Sequence, residues 1–133
     1  KETFALAKKF AKTLRGGEVI GLIGDLGAGK TVFAKGLSAG LGIKRTVNSP
    51  TFVLMKIYPV KNHPVIKNLV HIDAYRIKEP ADILAIGANE YIYQPDTVAV
   101  IEWADKLNLP SIDYSSIFLI KNLNKLTRKI IIK

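Results

Sequence analysis

There is no cysteine among the 133 residues. Disulfides and zinc–thiolate sites are thereby excluded, and a reducing compartment is compatible. No apolar run approaches the roughly 20 residues that a membrane-spanning helix needs. No leader-peptide pattern is visible either, so the expectation is a cytoplasmic protein. Histidine is scarce: His63 and His71 are the only two, and with no cysteine beside them they make a poor transition-metal set. Aromatics are only 8% and are not interleaved with the lysines, as a base-stacking surface requires. Acids are also few, 11 against 20 Lys and Arg, for a formal net charge of +9. Between Leu26 and Ile72 there is no acid at all, yet there are seven basic residues. The tail after Asp113 carries Lys121, Lys125, Arg128, Lys129 and Lys133, again without an acid. A polyanionic partner such as nucleotide or RNA fits this distribution. A solvated lysine-rich surface fits it equally well.

What is present is enough for one globular domain, with 48% hydrophobic residues. Its most specific feature is GDLGAGKT, Gly24 to Thr31, which matches G-x-x-x-x-G-K-[ST]. Gly27 and Gly29 can take positive φ, so the backbone can wrap tightly. Successive N–H groups then form an anion nest, and the following helix adds its positive N-terminal end. Lys30 can reach the β- and γ-phosphates as a point charge. The Thr31 hydroxyl is placed to ligate Mg²⁺. A flexible glycine-rich turn with an accidental lysine is the competing account, and context speaks against it. GEVIGLI before the loop reads as a buried strand. VFAKGLSAGL after it reads as a helix, with Phe33, Leu37 and Leu41 on one face.

Other elements follow from periodicity. TFALAKKFAKTL reads as an amphipathic helix, with Thr3 as N-cap and Phe4, Ala7, Phe10, Ala11 and Leu14 on one face. Gly16-Gly17 ends it, and the helix after the loop stops near Gly40 and Gly42. FVLMKIY and VIKNLVHI look like an antiparallel strand pair around PVKNHP, a turn of five to six residues. EPADILAI reads as a short helix, TVAVIEW as a buried strand, and SIFLIKNLNKLTRKIIIK as two strands around NLNK. The expected fold is a single α/β P-loop NTPase domain over residues 1–133. Its central sheet is mostly parallel, with added antiparallel strands, and is flanked by helices.

A phosphate loop only binds; hydrolysis or transfer needs a carboxylate near Mg²⁺ and the γ-phosphate. Such acids commonly end a buried strand. LVHID offers Asp73 and TVAVIE offers Glu102. One would hold Mg²⁺, directly or through water, and the other would position the nucleophile. Either could instead be a cap or a surface acid. His71, two residues before Asp73, points to the same strand face and suits a supporting hydrogen bond. Arg76 either pairs with an acid or senses phosphate charge. Trp103 either packs as core or covers the nucleotide site.

Taken in order, GDLGAGKT, NSPTF, HIDAYR and IEW resemble the small bacterial ATPase family TsaE (YjeE) over essentially the whole chain. The resemblance implies a nucleotide pocket at Gly27, Ala28, Gly29, Lys30 and Thr31, flanked by Val32. It implies Mg²⁺ at Thr31 and Glu102, and catalytic roles for Lys30, Asp73 and Glu102. Thr51 would sit in a switch-like loop near the γ-phosphate, with Thr3 and Trp103 also near the nucleotide. Ala104 stands where the family often has proline, which alters the strand exit but not Glu102 or Trp103. The implied activity is slow, Mg²⁺-dependent ATP hydrolysis in making threonylcarbamoyladenosine in tRNA. The implied partners are the TsaD and TsaB proteins, with tRNA contacted indirectly or weakly.

Two other classes compete. A P-loop small-molecule kinase needs an acceptor pocket, a lid and clustered arginines, but Arg15, Arg45, Arg76 and Arg128 are scattered. A GTPase lacks its N-K-x-D signature here. An RNA-binding module that merely clamps phosphate would use the basic surface, but it lacks the stacking aromatics.

Overall fold

The computed structural model describes residues 2–24, 29–44, 55–73, 87, 90–102, 115–122 and 128–132. The described elements are α1 (Glu2–Ala11), β1 (Val19–Gly24), α2 (Lys30–Gly40), β2 (Met55–Pro59), β3 (Asn68–Asp73), β4 (Thr97–Glu102), β5 (Ser116–Asn122) and β6 (Arg128–Ile132). The strands form one six-stranded sheet in the order β2-β3-β4-β1-β5-β6. Pairs β3–β4, β4–β1 and β1–β5 are parallel, while β2–β3 and β5–β6 are antiparallel. The parallel strands β1, β3 and β4 are runs of Val, Ile and Leu because they are covered on both faces. Val19, Val70, Ile72, Ala99 and Ile101 face one way, and Ile20, Leu22, Leu69, Val98 and Val100 the other; all are buried.

The second of these faces carries the helices. There α1 and α2 pack with Ala7, Ala11, Phe33 and Leu37 against Ile20, Leu22, Val100, Phe118 and Ile120. Phe118 anchors the layer, its ring 4.4 Å from Phe33 and edge-on to Phe10 at 4.9 Å. The helices approach so closely that a Cβ at Gly36 would lie 2.4 Å from the Phe4 carbonyl oxygen. One at Gly40 would lie 2.5 Å from both the Lys8 carbonyl oxygen and the Ala11 Cβ. Phe4 beside Gly36, and Lys8 with Ala11 beside Gly40, mean that the two helices run in the same direction.

This seam corrects the reading of the first helix. Thr3 is inside α1, not its cap, and it lies on the buried stripe with Ala7 and Ala11. Phe4, expected in the core, is exposed. A seam this narrow accepts only small side chains, so the stripe runs through positions 3, 7 and 11, and Phe4 is turned to its edge. α1 stops at Ala11, ahead of the glycine pair expected to end it, and residues 12–14 turn more tightly, each N–H donating to the carbonyl three residues back. The Glu18 carboxylate accepts the N–H groups of Arg15 and Gly16, each at 2.7 Å. Gly16 has φ 111° and sits where a Cβ would meet the Pro95 carbonyl oxygen at 2.0 Å.

The β2–β3 connection is longer than the expected turn. Strand pairing stops at Pro59 opposite Asn68, so residues 60–67 lie outside it. The apolar pair Val65-Ile66 leaves the strand because both backbone N–H groups donate to His63 Nδ1, at 3.1 and 2.9 Å. Ile66 is still fully buried, so its hydrophobicity reflects core packing and not a ladder position. The short helix expected at EPADILAI and the turn at NLNK lie outside the described residues.

Candidate functional site

Parallel register brings the carboxylates together. Asp73 and Glu102, the last residues of β3 and β4, are direct partners, and both side chains face the helices. Both are buried, at 6% and 3% exposure. Over this edge of the sheet stands the N-terminus of α2. Its N-cap, Gly29, adopts a left-handed conformation (φ 100°, ψ 15°), as expected, and contributes no side-chain cap. The first intrahelical bond runs from Phe33 N–H to the Gly29 carbonyl at 2.9 Å. The N–H groups of Lys30, Thr31 and Val32 therefore lie in the helix's unpaired first turn, at its positive end. None of the residues of that turn is itself an acid.

Lys30 is 5% exposed, and its Nζ donates to the Gly24 carbonyl oxygen at 2.6 Å. The ammonium thus returns to the end of β1 where the loop departs. The Thr31 hydroxyl donates to Glu102 Oε1 at 3.3 Å, and His71 Nε2 meets Glu102 Oε2 at 2.5 Å. Glu102 therefore ties α2 to β3 through its two oxygens. His71 is 1% exposed, and its Nδ1 is buried without a hydrogen-bond partner among the described residues.

The residues present fit a small hard cation. Two neighbouring oxygen ligands on octahedral Mg²⁺, each at ~2.1 Å, stand about 3.0 Å apart. Thr31 Oγ1 and Glu102 Oε1 are already 3.3 Å apart. No group of three or more His, Cys, Asp or Glu suited to a metal occurs among the described residues. Mg²⁺ takes one or two protein oxygens and completes its shell with water and phosphate.

Of the candidate residues, the structure brings Gly29, Lys30, Thr31, Asp73 and Glu102 to one edge, with His71 beneath. Val32 is in the same turn, but 39% exposed. Thr3 is buried one residue before Phe4, whose carbonyl oxygen faces Gly36 of α2. Gly27, Ala28, Thr51 and Trp103 lie outside the described residues. The Gly24 carbonyl that holds Lys30 was not anticipated; the motif's own first glycine was its only signal.

A mostly parallel sheet with a glycine-capped helix over the ends of two acid-terminated strands defines a P-loop α/β protein. A family model described as threonylcarbamoyl adenosine biosynthesis protein TsaE matches residues 1–130. The chain belongs to the TsaE family. It is 46% identical over 104 residues to tRNA threonylcarbamoyladenosine biosynthesis protein TsaE of Bacillus subtilis, covering 78% of this chain and 61% of that protein. The protein of the same name in Streptomyces coelicolor is 40% identical over 101 residues, covering 75% and 66%. The chain thus spans less than two thirds of the length of these relatives. A crystal structure of Bacillus subtilis YdiB superposes with a TM-score of 0.73 at 35% identity, covering 97% of this chain and 76% of that one.

Proposed function

We propose that this chain is a Mg²⁺-dependent ATPase that supports threonylcarbamoyladenosine formation in tRNA, next to the anticodon. One observation carries the chemistry: Thr31 Oγ1 and Glu102 Oε1 stand 3.3 Å apart under the unpaired first turn of α2. The family supplies the pathway. In this reading the amides of Gly29, Lys30 and Thr31, with Gly27 and Ala28 before them, cradle the phosphates. Lys30 leaves the Gly24 carbonyl and pairs with the β- and γ-phosphate oxygens. Thr31 and Glu102 hold Mg²⁺, which neutralises charge building on the transferred phosphoryl group. Asp73, beside Glu102 in register, orients the attacking water and accepts its proton. Thr51 and Trp103 enter only through the family resemblance, as neighbours of the γ-phosphate and of the nucleotide. Thr3 and Val32 enter in the same way, as neighbours of the nucleotide.

The partners in this reading are the TsaD and TsaB proteins, with tRNA reached through them, in the cytoplasm. Among the described residues, no helix is long and apolar enough to cross a membrane. The whole chain, residues 1–133, acts as one ATPase unit. The deciding assay is phosphate release from ATP with Mg²⁺, alone and with TsaD and TsaB added. Slow release that rises with both partners supports the reading. Transfer of the γ-phosphoryl to a metabolite instead of water refutes it in favour of a kinase.

A further inference from the structure

His71 is an awkward residue to bury. It follows Leu69 on the same face of β3, beside a core layer of Leu, Val, Ile, Phe, Ala and one Tyr. It is 1% exposed, yet among the described residues only one of its two ring nitrogens has a hydrogen-bond partner. A half-satisfied buried polar group is worse for stability than an apolar one of the same shape. Packing alone would therefore favour leucine here. The return lies at Nε2, which holds Glu102 Oε2 at 2.5 Å and leaves Oε1 turned toward Thr31.

We propose that His71 is a positioning residue that fixes Glu102 as a one-oxygen ligand and thereby selects Mg²⁺ over Ca²⁺. The proposal rests on the reading of Thr31 and Glu102 as the metal site. With Oε2 occupied by the imidazole, the carboxylate can offer a cation only Oε1. Single-oxygen ligation suits Mg²⁺, which requires near-octahedral geometry at short distance. Ca²⁺ is larger, accepts higher coordination and commonly takes both oxygens of a carboxylate. Partners of this kind, one step behind a ligand, typically change metal affinity about 10–100-fold when removed.

The test is calorimetric binding of a non-hydrolysable ATP analogue with Mg²⁺, with Ca²⁺ and with EDTA. The proteins are wild type, His71→Leu, His71→Gln and His71→Asn, each checked for folding by circular dichroism. Wild type should bind more tightly with Mg²⁺ than with Ca²⁺. His71→Leu should lose about tenfold or more of the Mg²⁺-dependent gain, keep its affinity in EDTA, and approach equal use of the two metals. His71→Gln should restore the preference, because its amide nitrogen reaches the Nε2 position. His71→Asn, whose amide ends near the Nδ1 position, should behave like His71→Leu. A folded His71→Leu with the wild-type Mg²⁺ gain and metal preference overturns the proposal. If His71→Leu does not fold, equal behaviour of the Gln and Asn variants overturns it instead. Wild type with no Mg²⁺-dependent gain overturns the metal-site reading itself, and this proposal with it.

Discussion

Replacing Gly36 by alanine pits two opposing effects against each other. In a helix interior the change is favourable by about 1 kcal/mol on propensity alone. Against this, the new Cβ would stand 2.4 Å from the Phe4 carbonyl oxygen, 2.9 Å from Ala7 Cβ and 3.0 Å from Phe4 Cα. A comfortable carbon–oxygen contact is ~3.3 Å, so α1 must retreat by about 0.9 Å. Two of these three neighbours are backbone atoms, so no side-chain rotation relieves the clash. The helix has to move as a body and loosen Ala7 and Ala11 from α2. Overpacking of this kind costs about 2 kcal/mol, leaving a net loss of about 1 kcal/mol and a fall in Tm of roughly 4 °C. Gly40→Ala should act similarly, because its Cβ would meet the Lys8 carbonyl at 2.5 Å. The double variant should lose less than the sum, since one displacement of α1 relieves both contacts. Thermal and urea unfolding of the three variants give the answer. A Gly36→Ala protein with raised Tm would mean that propensity wins and that the seam is not this tight.

Lys30→Ala should weaken ATP binding by about tenfold or more, the worth of a charge-assisted hydrogen bond, as read by nucleotide titration. Asp73→Asn keeps shape and loses charge, so turnover should fall far more than affinity; steady-state kinetics and equilibrium binding separate the two. Unchanged hydrolysis in Asp73→Asn would reduce that residue to a structural role. Phe118→Ala should lose about 3–5 kcal/mol of stability by urea titration, because it empties the space between Phe10 and Phe33. ATP consumption should rise when TsaD and TsaB are added together, and the same phosphate-release assay detects it.

The strands were legible because their coverage wrote itself into composition. β4, buried at every position from Thr97 to Glu102, cannot be mistaken for an amphipathic element. The helix after β1 was legible because the left-handed backbone at its cap, Gly29, demands glycine. Thr3 was misread because threonine suits both a cap and a close helix seam. Gly36 and Gly40, spaced like Ala7 and Ala11, were the better signal. Val65-Ile66 was misread because an apolar pair does not reveal where its N–H groups go, and here they go to His63. The register of Asp73 with Glu102 joins residues far apart in the chain, so it had to come from the structure.

The scarcity of acid and the sheet order explain each other. A polyphosphate site must keep carboxylates away from the phosphates and yet supply them at the metal. From residue 26 to 72 the chain carries no acid, so α2 and β2 bring none to the site. The carboxylates have to arrive from elsewhere, and β4 delivers one by inserting between β1 and β3. That insertion sets Glu102 opposite Leu22 on one side and Asp73 on the other. It lies 71 residues from Thr31 in sequence, yet its carboxylate reaches the first turn of α2. Because β4 is the central member of this triad, a substitution that shifts it moves Glu102 relative to both Thr31 and His71. Changes deep in β4, such as at Val98 or Val100, should therefore reach the Thr31 and Glu102 oxygens as well as the core.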